Sequence, residues 1–360
     1  MSQPVRVAGI CFEHFHMGDN LRMVLENDMT ELVGICDSQH ERMRESIDQF
    51  GIPADRVFSD YRQCLQVTQP DLVILCPSAS DHFLWVQRIM AFGADAMVEK
   101  PMAASLAEAD QMIEAAGLAG KRLMINWPLA WSAPHQTARR LIQDGVIGQV
   151  LEVHYYDGNR GPLYHGADKR VTSAEEVAAM KPSSWFYSKA AGGGSLLDYL
   201  GYGTTLGTWF MNGRVPREVT AVVDRPPGLE VDEHCIAIAR YATGLSKFET
   251  RWGTFTDPWT QQPQPACGFV IVGSEGTIGC YDYQDHVLLQ TKSLPQVHAI
   301  SNDPVPASQR DPIAFYLDCR QRGAPIDGPC GPEISRIGQQ IVDAARISAH
   351  QGGTIRLPQG

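Results

Sequence analysis

Three side chains in this chain have the types and spacing needed to take a proton from an alcohol. Lys100 stands in Glu99-Lys100-Pro101, directly after the apolar run Ala96-Met97-Val98. In open α/β sheets, ligands bind beyond the carboxyl ends of the strands. A proline cannot continue such a strand, so the ammonium before it is placed for a ligand rather than for packing. Asp198 and Tyr202 lie in Gly192-Gly193-Gly194-Ser195-Leu196-Leu197-Asp198-Tyr199-Leu200-Gly201-Tyr202. Four residues apart, they share one face of a regular helix. The three glycines permit a tight entry turn and close approach of a ligand or backbone. A carboxylate beside a phenol orients it or shares a substrate hydroxyl. A nearby ammonium favours the phenolate and lowers its pKa from about 10. Tyr202 is then the proton acceptor, Lys100 stabilises the developing alkoxide, and Asp198 orients both substrate and phenol.

A second group of residues is placed for a nucleotide cofactor. The first strand-to-helix turn reads Gly9-Ile10-Cys11-Phe12-Glu13-His14-Phe15-His16-Met17-Gly18, which is not GxGxxG, and Glu13 sets a negative charge where a phosphate is expected. Two readings stay open. Either the turn holds a dinucleotide through backbone N–H groups, with Phe12, His14 and Phe15 around it, or the site has lost the dinucleotide. His14 and His16 face the same way if the segment is extended. Two ligands specify little, no third is evident beyond the neighbouring strand ends at Cys76 and His82, and no metal is assigned. Asp37 ends the second strand, 28 residues after Gly9. There it is suited to ribose hydroxyls and repels a 2′-phosphate, favouring NAD over NADP, and it is equally suited to capping the next helix. Pro77, Ser78 and His82 follow the strand Leu72–Cys76 on the same side. His82 is either a cofactor contact or a structural histidine at a helix start.

The elements that must position these groups follow two rhythms. Apolar runs at Val5–Cys11, Glu31–Asp37, Leu72–Cys76, Ala96–Glu99 and Lys121–Ile125 alternate with helical stretches at Asp19–Glu26, Gln39–Phe50, His82–Phe92 and Ser105–Ala116. This pattern predicts a doubly wound parallel sheet, a Rossmann-type domain over residues 1–125. From 126 to 360 the strands follow one another without intervening helices, from Arg217–Val223 to Val287–Gln290. They predict an α+β domain with an open, mostly antiparallel sheet. Helices are expected at Pro134–Asp144, Ser195–Phe210, Pro312–Gln321 and Pro332–His350.

Composition narrows the partners. The chain has 360 residues with a formal charge of −11 and no basic stripe, which argues against nucleic acid and anionic membranes. No apolar run approaches the ~20 residues of a membrane span. Met1-Ser2-Gln3-Pro4 leads directly into a strand without a leader pattern. Nine cysteines form no CxxC pair and read as reduced, buried thiols of a cytoplasmic protein.

The EKP tripeptide, the βα alternation before it, Gly192–Tyr202 and Gly273-Ser274-Glu275-Gly276-Thr277-Ile278 together resemble the Gfo/Idh/MocA family, over nearly the whole chain. The resemblance implies NAD(P)-dependent oxidation or reduction of sugar or polyol carbons. Lys100 then touches the nicotinamide side and the reacting hydroxyl, and the Lys100-Pro101 peptide is cis as in relatives. Tyr202 stands where the family's D-x-x-x-H pattern has histidine, as in its glucose–fructose oxidoreductase branch. Glu99 and Trp127 join the cofactor side. The chain departs from the family at the missing glycines, at Asn126-Trp127-Pro128, and at the loop Asn159–His165. Arg160 and His165 in that loop are candidates for substrate hydroxyls or a carboxylate, although Arg160 equally suits a surface ion pair. Trp185 and Tyr187 suit stacking on a sugar face or core packing.

The leading expectation is an NAD-dependent sugar or polyol oxidoreductase, assembled as a homo-oligomer (dimer or tetramer) as in relatives. A glycoside-cleaving enzyme that recycles bound NAD is an alternative of the same family. A non-enzymatic sugar-binding protein on a degenerate Rossmann scaffold is the third.

Overall fold

The computed structural model describes residues 3–358. Met1 and Ser2, on which part of the leaderless reading rests, lie outside the described residues. The N-terminal elements are β1 (Val5–Phe12), α1 (His16–Leu25), β2 (Thr30–Cys36), α2 (His40–Phe50), β3 (Val57–Phe58), α3 (Tyr61–Thr68), β4 (Leu72–Cys76), α4 (His82–Phe92), β5 (Asp95–Glu99), α5 (Leu106–Ala119) and β6 (Leu123–Asn126). Their strands form one parallel sheet in the order β3-β2-β1-β4-β5-β6. The order turns between β1 and β4, the topological switch point where such sheets bind ligands. β4, β5 and β6 are buried at every residue, as helices on both faces require.

The chain continues through α6 (Ala133–Gln143), β7 (Val150–Asn159), α7 (Ala174–Met180), α8 (Ser195–Phe210), β8 (Glu218–Asp224), β9 (His234–Arg240), β10 (Leu245–Trp252), β11 (Gly268–Gly273), β12 (Gly276–Tyr281), β13 (His286–Thr291), β14 (His298–Ser301), α9 (Pro312–Arg322), α10 (Pro332–Gln351) and β15 (Ile355–Arg356). These strands form a second sheet, β14-β13-β12-β11-β7-β10-β9-β8-β15. It is antiparallel except between β7 and β10. The expected fold class is the observed one.

α8 fills the space under this sheet and is buried along nearly its whole length. Glycines let it approach its neighbours: a Cβ on Gly201 would lie 2.4 Å from the Trp127 ring. Gly194, with φ 104°, turns the chain into the helix, and Asp232 receives the N–H groups of Ser195 (on its carbonyl) and Leu196 (on its carboxylate). This satisfies two donors that a helix start leaves open. The opposite face of the sheet is uncovered and carries Val222, Ile238, Val270 and Tyr281 as exposed apolar side chains. Among the described residues no helix is long and apolar enough to cross a membrane.

Several short elements escaped the sequence reading: β3, α3, α7, β14 and β15. One boundary matters for the site. α1 begins at His16, three residues before the expected Asp19, because β1 bulges at Cys11 (φ 66°) and its register with β4 shifts between Ile10 and Phe12. His14-Phe15-His16 is therefore a helix entry, not the extended segment expected.

Candidate active site and cofactor cleft

Lys100 follows β5 directly and Asp198 lies in the first turn of α8, so the two sheets bring them together. The Lys100 Nζ donates to Asp198 Oδ1 at 2.7 Å, and both side chains are almost fully buried. The start of α8 favours a carboxylate there through the aligned peptide dipoles. Tyr202 lies one turn further along α8. The ammonium is 5.7 Å from the centre of its ring and 5.9 Å from that of Tyr199. The Lys100-Pro101 peptide is cis. All four side chains line one cavity of about 730 Å³, together with Asn126, Asp157, Asn159, His165, Trp252, Trp259, Asp282 and Tyr283.

The cavity differs from expectation in its proton chemistry. Burial, together with the charges of Glu99, Asp157 and Asp198, raises the Tyr202 phenol well above its ordinary pKa. The expected phenolate is thus disfavoured, because desolvation outweighs the neighbouring ammonium. The protonated phenol is the favoured form. Asp157 and Asp282 were missed. Asp157 ends the run Val150–Asp157, so the strand-end argument applied to Lys100 would have found it. Asp282 follows β12 with no spacing to announce it. Burial raises both, Asp282 to about 7, and the charge of Asp282 raises Asp157 further.

A second, larger space of about 1220 Å³ lies on the other side of the β1–α1 turn. Phe12, Glu13, His14, Phe15, Arg42, Ser78, His165, Trp185 and Phe186 are in its wall. Here most of the polar groups are engaged by the protein itself, the His165 Nδ1 excepted. Asp37 accepts the Phe12 N–H and the Gln39 N–H, both at 2.8 Å. Glu13 accepts the Ser78 N–H at 2.7 Å and pairs with Arg42 at 2.9 Å. The N–H groups of Glu13 and His14 both go to the Cys76 carbonyl, and the His16 N–H goes to His14 Nδ1. His16 Nδ1 in turn meets Glu99 Oε1 at 2.8 Å, and Asn126 donates to the other Glu99 oxygen at 3.1 Å. Glu99 is thus the third ligand-type group missing from the sequence reading, its ligating atom within 4.8 Å of those of His14 and His16. The trio is already hydrogen-bonded to itself. Burial lowers His14 and His82, and His165 falls to about 3, so these imidazoles are neutral.

The remaining candidates divide plainly. Both His82 nitrogens face backbone carbonyls, of Met102 at 3.2 Å and Pro77 at 3.3 Å, which is the structural role. Trp127 lies in the core, donating to Ser335 Oγ at 3.0 Å, and is in the wall of neither space. Arg160 pairs through Nε with Asp257 at 2.8 Å and also lines neither. Its expected substrate contact gives way to the ion pair, because Asp257 is buried and needs a cation. Trp185 faces the larger space, donating to the Glu13 carbonyl at 3.2 Å, rather than the catalytic cavity expected for a sugar-stacking ring. Tyr187 packs against Trp252, with ring centres 5.6 Å apart.

Comparison with known proteins agrees with this fold. Residues 12–127 match the model of an oxidoreductase family with an NAD-binding Rossmann fold, and residues 135–279 match the GFO/IDH/MocA C-terminal domain. D-apiose dehydrogenase of Paraburkholderia graminis is 32% identical over 134 residues, covering 37% of this chain and 35% of that protein. Inositol 2-dehydrogenase of Salmonella typhimurium is 27% identical over 137 residues, 37% of this chain and 40% of that protein. The chain thus spans well under half the length of these curated relatives. The solved inositol dehydrogenase homolog complexed with NAD+ from Azotobacter vinelandii superposes with a TM-score of 0.79 at 17% identity, over 99% of this chain and 98% of that one. At that identity the likeness shows the fold.

The residues fit a nicotinamide dinucleotide in most of its parts. The larger space exceeds the ~300–1,000 Å³ of ordinary small-ligand sites. Ser78 offers a hydroxyl and Arg42 a cation in that wall, while Asp37 is buried outside it, accepting the Phe12 and Gln39 N–H groups and lying 3.7 Å from Arg42. Glu13 alone opposes the fit, since it now holds the Ser78 N–H and Arg42, donors that a phosphate would use.

Proposed function

Since the chain belongs to the Gfo/Idh/MocA family of oxidoreductases, we propose that it oxidises or reduces a carbinol carbon of a sugar, sugar derivative or polyol, with NAD preferred over NADP. The observation that carries this reading is the 2.7 Å contact between Lys100 and Asp198, made across the two sheets inside a cavity that also holds the Tyr202 phenol. The domain division at residue 126 belongs to the same proposal, with cofactor on residues 1–125 and substrate on 126–360.

When bound, the nicotinamide supplies a hydride acceptor; Arg42 and Ser78, in the wall of the larger space, would hold the dinucleotide. The chain's own residues handle the proton. The substrate hydroxyl sits between Lys100 and Tyr202. Tyr202, protonated, donates a hydrogen bond to the oxygen. Lys100 places positive charge beside it as alkoxide character develops, a fixed electrostatic contribution in a site shielded from water. Asp198, already touching Lys100 Nζ, receives the proton directly or through the amine. The base is thus the Lys100–Asp198 pair rather than Tyr202.

The exposed apolar side chains on the uncovered sheet face support a homo-oligomer. The reduced state of the cysteines, all free and buried, supports a cytoplasmic location.

A panel of sugars and polyols incubated with NAD, followed at the NADH absorbance band, tests the proposal. NADH formation with at least one of them is expected. Absence of NADH throughout, with no NAD or NADP binding at millimolar concentration, overturns it.

A further inference from the structure

Four buried polar atoms in residues lining the catalytic cavity have no protein partner: Asp157 Oδ2, Asp282 Oδ1, His165 Nδ1 and Trp252 Nε1. The two aspartates are 3% and 4% exposed. Asp157 is oriented by hydrogen bonds from the Gly158 N–H and the Tyr199 hydroxyl. Those bonds leave its second oxygen unpartnered. No ion pair reaches either carboxylate among the described residues, although most other buried aspartates here have one, as Asp198 has Lys100 and Asp257 has Arg160.

The groups around the pair do not supply the missing charge. Lys100 from the end of β5 is held by Asp198. Tyr199 from α8, Tyr283 beside Asp282 and Cys267 before β11 are neutral acids whose pKa values burial raises. Lys169, from the loop before α7, lies over the Tyr283 ring at 4.2 Å and the Trp259 ring at 5.3 Å, and makes no ion pair with Asp282. Two carboxylates so placed either share protons or take a cation from a ligand.

We propose that Asp157 and Asp282 form a subsite for an ammonium group, so that the substrate is an amino sugar or an aminocyclitol. This deepens the oxidoreductase reading and rests on it for the carbinol end of the molecule. A protonated amine brings three N–H donors to two unpartnered acceptors, and it takes the place of the protons that the pair otherwise shares. Of the aromatic rings in the same wall, those of Tyr199 and Trp259 already face Lys100 and Lys169, and that of Trp252 suits a further cation through its negative face. Sugar acids and sugar phosphates are disfavoured by the same two carboxylates. The amine would lie at the Asp157–Asp282 end of the cavity and the reacting hydroxyl at the Lys100–Tyr202 end.

Calorimetric titration of the full chain, with NAD present, tests the subsite without depending on turnover. The probes are D-glucosamine and 2-deoxystreptamine against D-glucose, myo-inositol and N-acetyl-D-glucosamine, whose acylated nitrogen carries no charge. At least one amine is expected to bind ~30-fold more tightly than its neutral counterpart, in line with charge-assisted hydrogen bonds. In Asp282→Asn, that preference is expected to fall to within about threefold. Equal binding of amine and neutral probes by the unmodified chain, or no binding of either amine at millimolar concentration, overturns the proposal even if the variant misfolds. The two levels separate cleanly. Amine-selective binding with no NADH from any alcohol keeps the subsite and removes the oxidoreductase reading. NADH from neutral polyols with no amine preference does the reverse.

Discussion

The two spaces on either side of the β1–α1 turn are built on opposite plans. On the cofactor side, the turn's carboxylates and most of its N–H groups bond to the protein itself, through the Cys76 carbonyl, Asp37 and Glu13. On the catalytic side, four buried polar atoms remain unpartnered. Burying an unpaired polar group costs free energy, and a ligand that pairs with such groups offsets that cost. The contrast teaches that the catalytic cavity is preformed for a polar ligand. The cofactor side must first release donors that it already holds.

The largest expected effect attacks the catalytic side. Lys100→Ala should lower kcat by ~10³-fold, the scale at which proton-transfer and electrostatic groups act. It should also destabilise the fold, because Asp198 is left buried without its cation, a change worth about 3–5 kcal/mol. The double variant Lys100→Met, Asp198→Leu separates the two consequences. Its thermal midpoint should recover while turnover, read as NADH formation, stays lost. Recovery of turnover in the double variant would remove the pair from the mechanism.

On the cofactor side the corresponding change should improve binding. Glu13→Gln removes the negative charge nearest the expected phosphate and frees Arg42 from its 2.9 Å pair. The NAD dissociation constant, measured by calorimetry, should fall by ~10-fold, about 1.4 kcal/mol. A weaker dissociation constant would show that Glu13 orders the turn for the cofactor, and the proposed opposition between the two spaces would fail there.

The parts legible in the sequence were those fixed by local pattern. Lys100, Asp198 and Tyr202 were found because a strand end and an i, i+4 helix spacing announce them, and the alternation of runs announced the Rossmann sheet. What stayed hidden depends on the environment created by folding. The Tyr202 phenol was expected to lose its proton easily, but desolvation is invisible in spacing and it dominates. Asp282 has no motif of its own, and only the pairing of β12 with β11, and of β11 with β7, brings it to the same end of the sheet as Asp157. Arg160 was placed by loop position and Trp185 by its flat ring, yet buried Asp257 and the Glu13 carbonyl claim them.

The contrast also predicts two opposing dependences of stability on pH. His14, His82 and His165 have pKa values lowered by burial. The unfolded chain therefore binds protons that the fold does not, and stability is lost as pH falls below about 6.5. Asp282 behaves in the other direction. Its pKa is raised from 3.8 to about 7, so the folded chain holds a proton that the unfolded chain releases, and stability is lost as pH rises from about 4 through 7. The windows overlap, so single variants must separate them. Calorimetric melting of Asp282→Asn should show a midpoint that rises with pH between 5 and 7, by a few degrees more than in the unmodified chain (roughly 2–4 °C per kcal/mol). Identical pH profiles would mean that the carboxylate pair is not buried unpaired.

The smallest expected effect concerns the loop that closes over α1. Asp168 pairs with Arg22, receives Gln49 Nε2 at 3.2 Å, and donates its backbone N–H to Asp19 at 2.8 Å. It holds a left-handed backbone (φ 57°) that asparagine tolerates and alanine does not, so Asp168→Asn removes the charge without straining the chain. The Arg22 and Asp168 side chains are 32% and 35% exposed, and pairs in such settings contribute at most ~1 kcal/mol, less in salt. The expected shift in NAD affinity is below about threefold, and it should vanish at high ionic strength. The close contact of Gly18 with Ala167, where an added Cβ would come within 2.8 Å, remains to hold the loop in either variant. A tenfold loss of affinity would instead show that this ion pair, in the wall of the catalytic cavity, holds the loop in place for the cofactor as well.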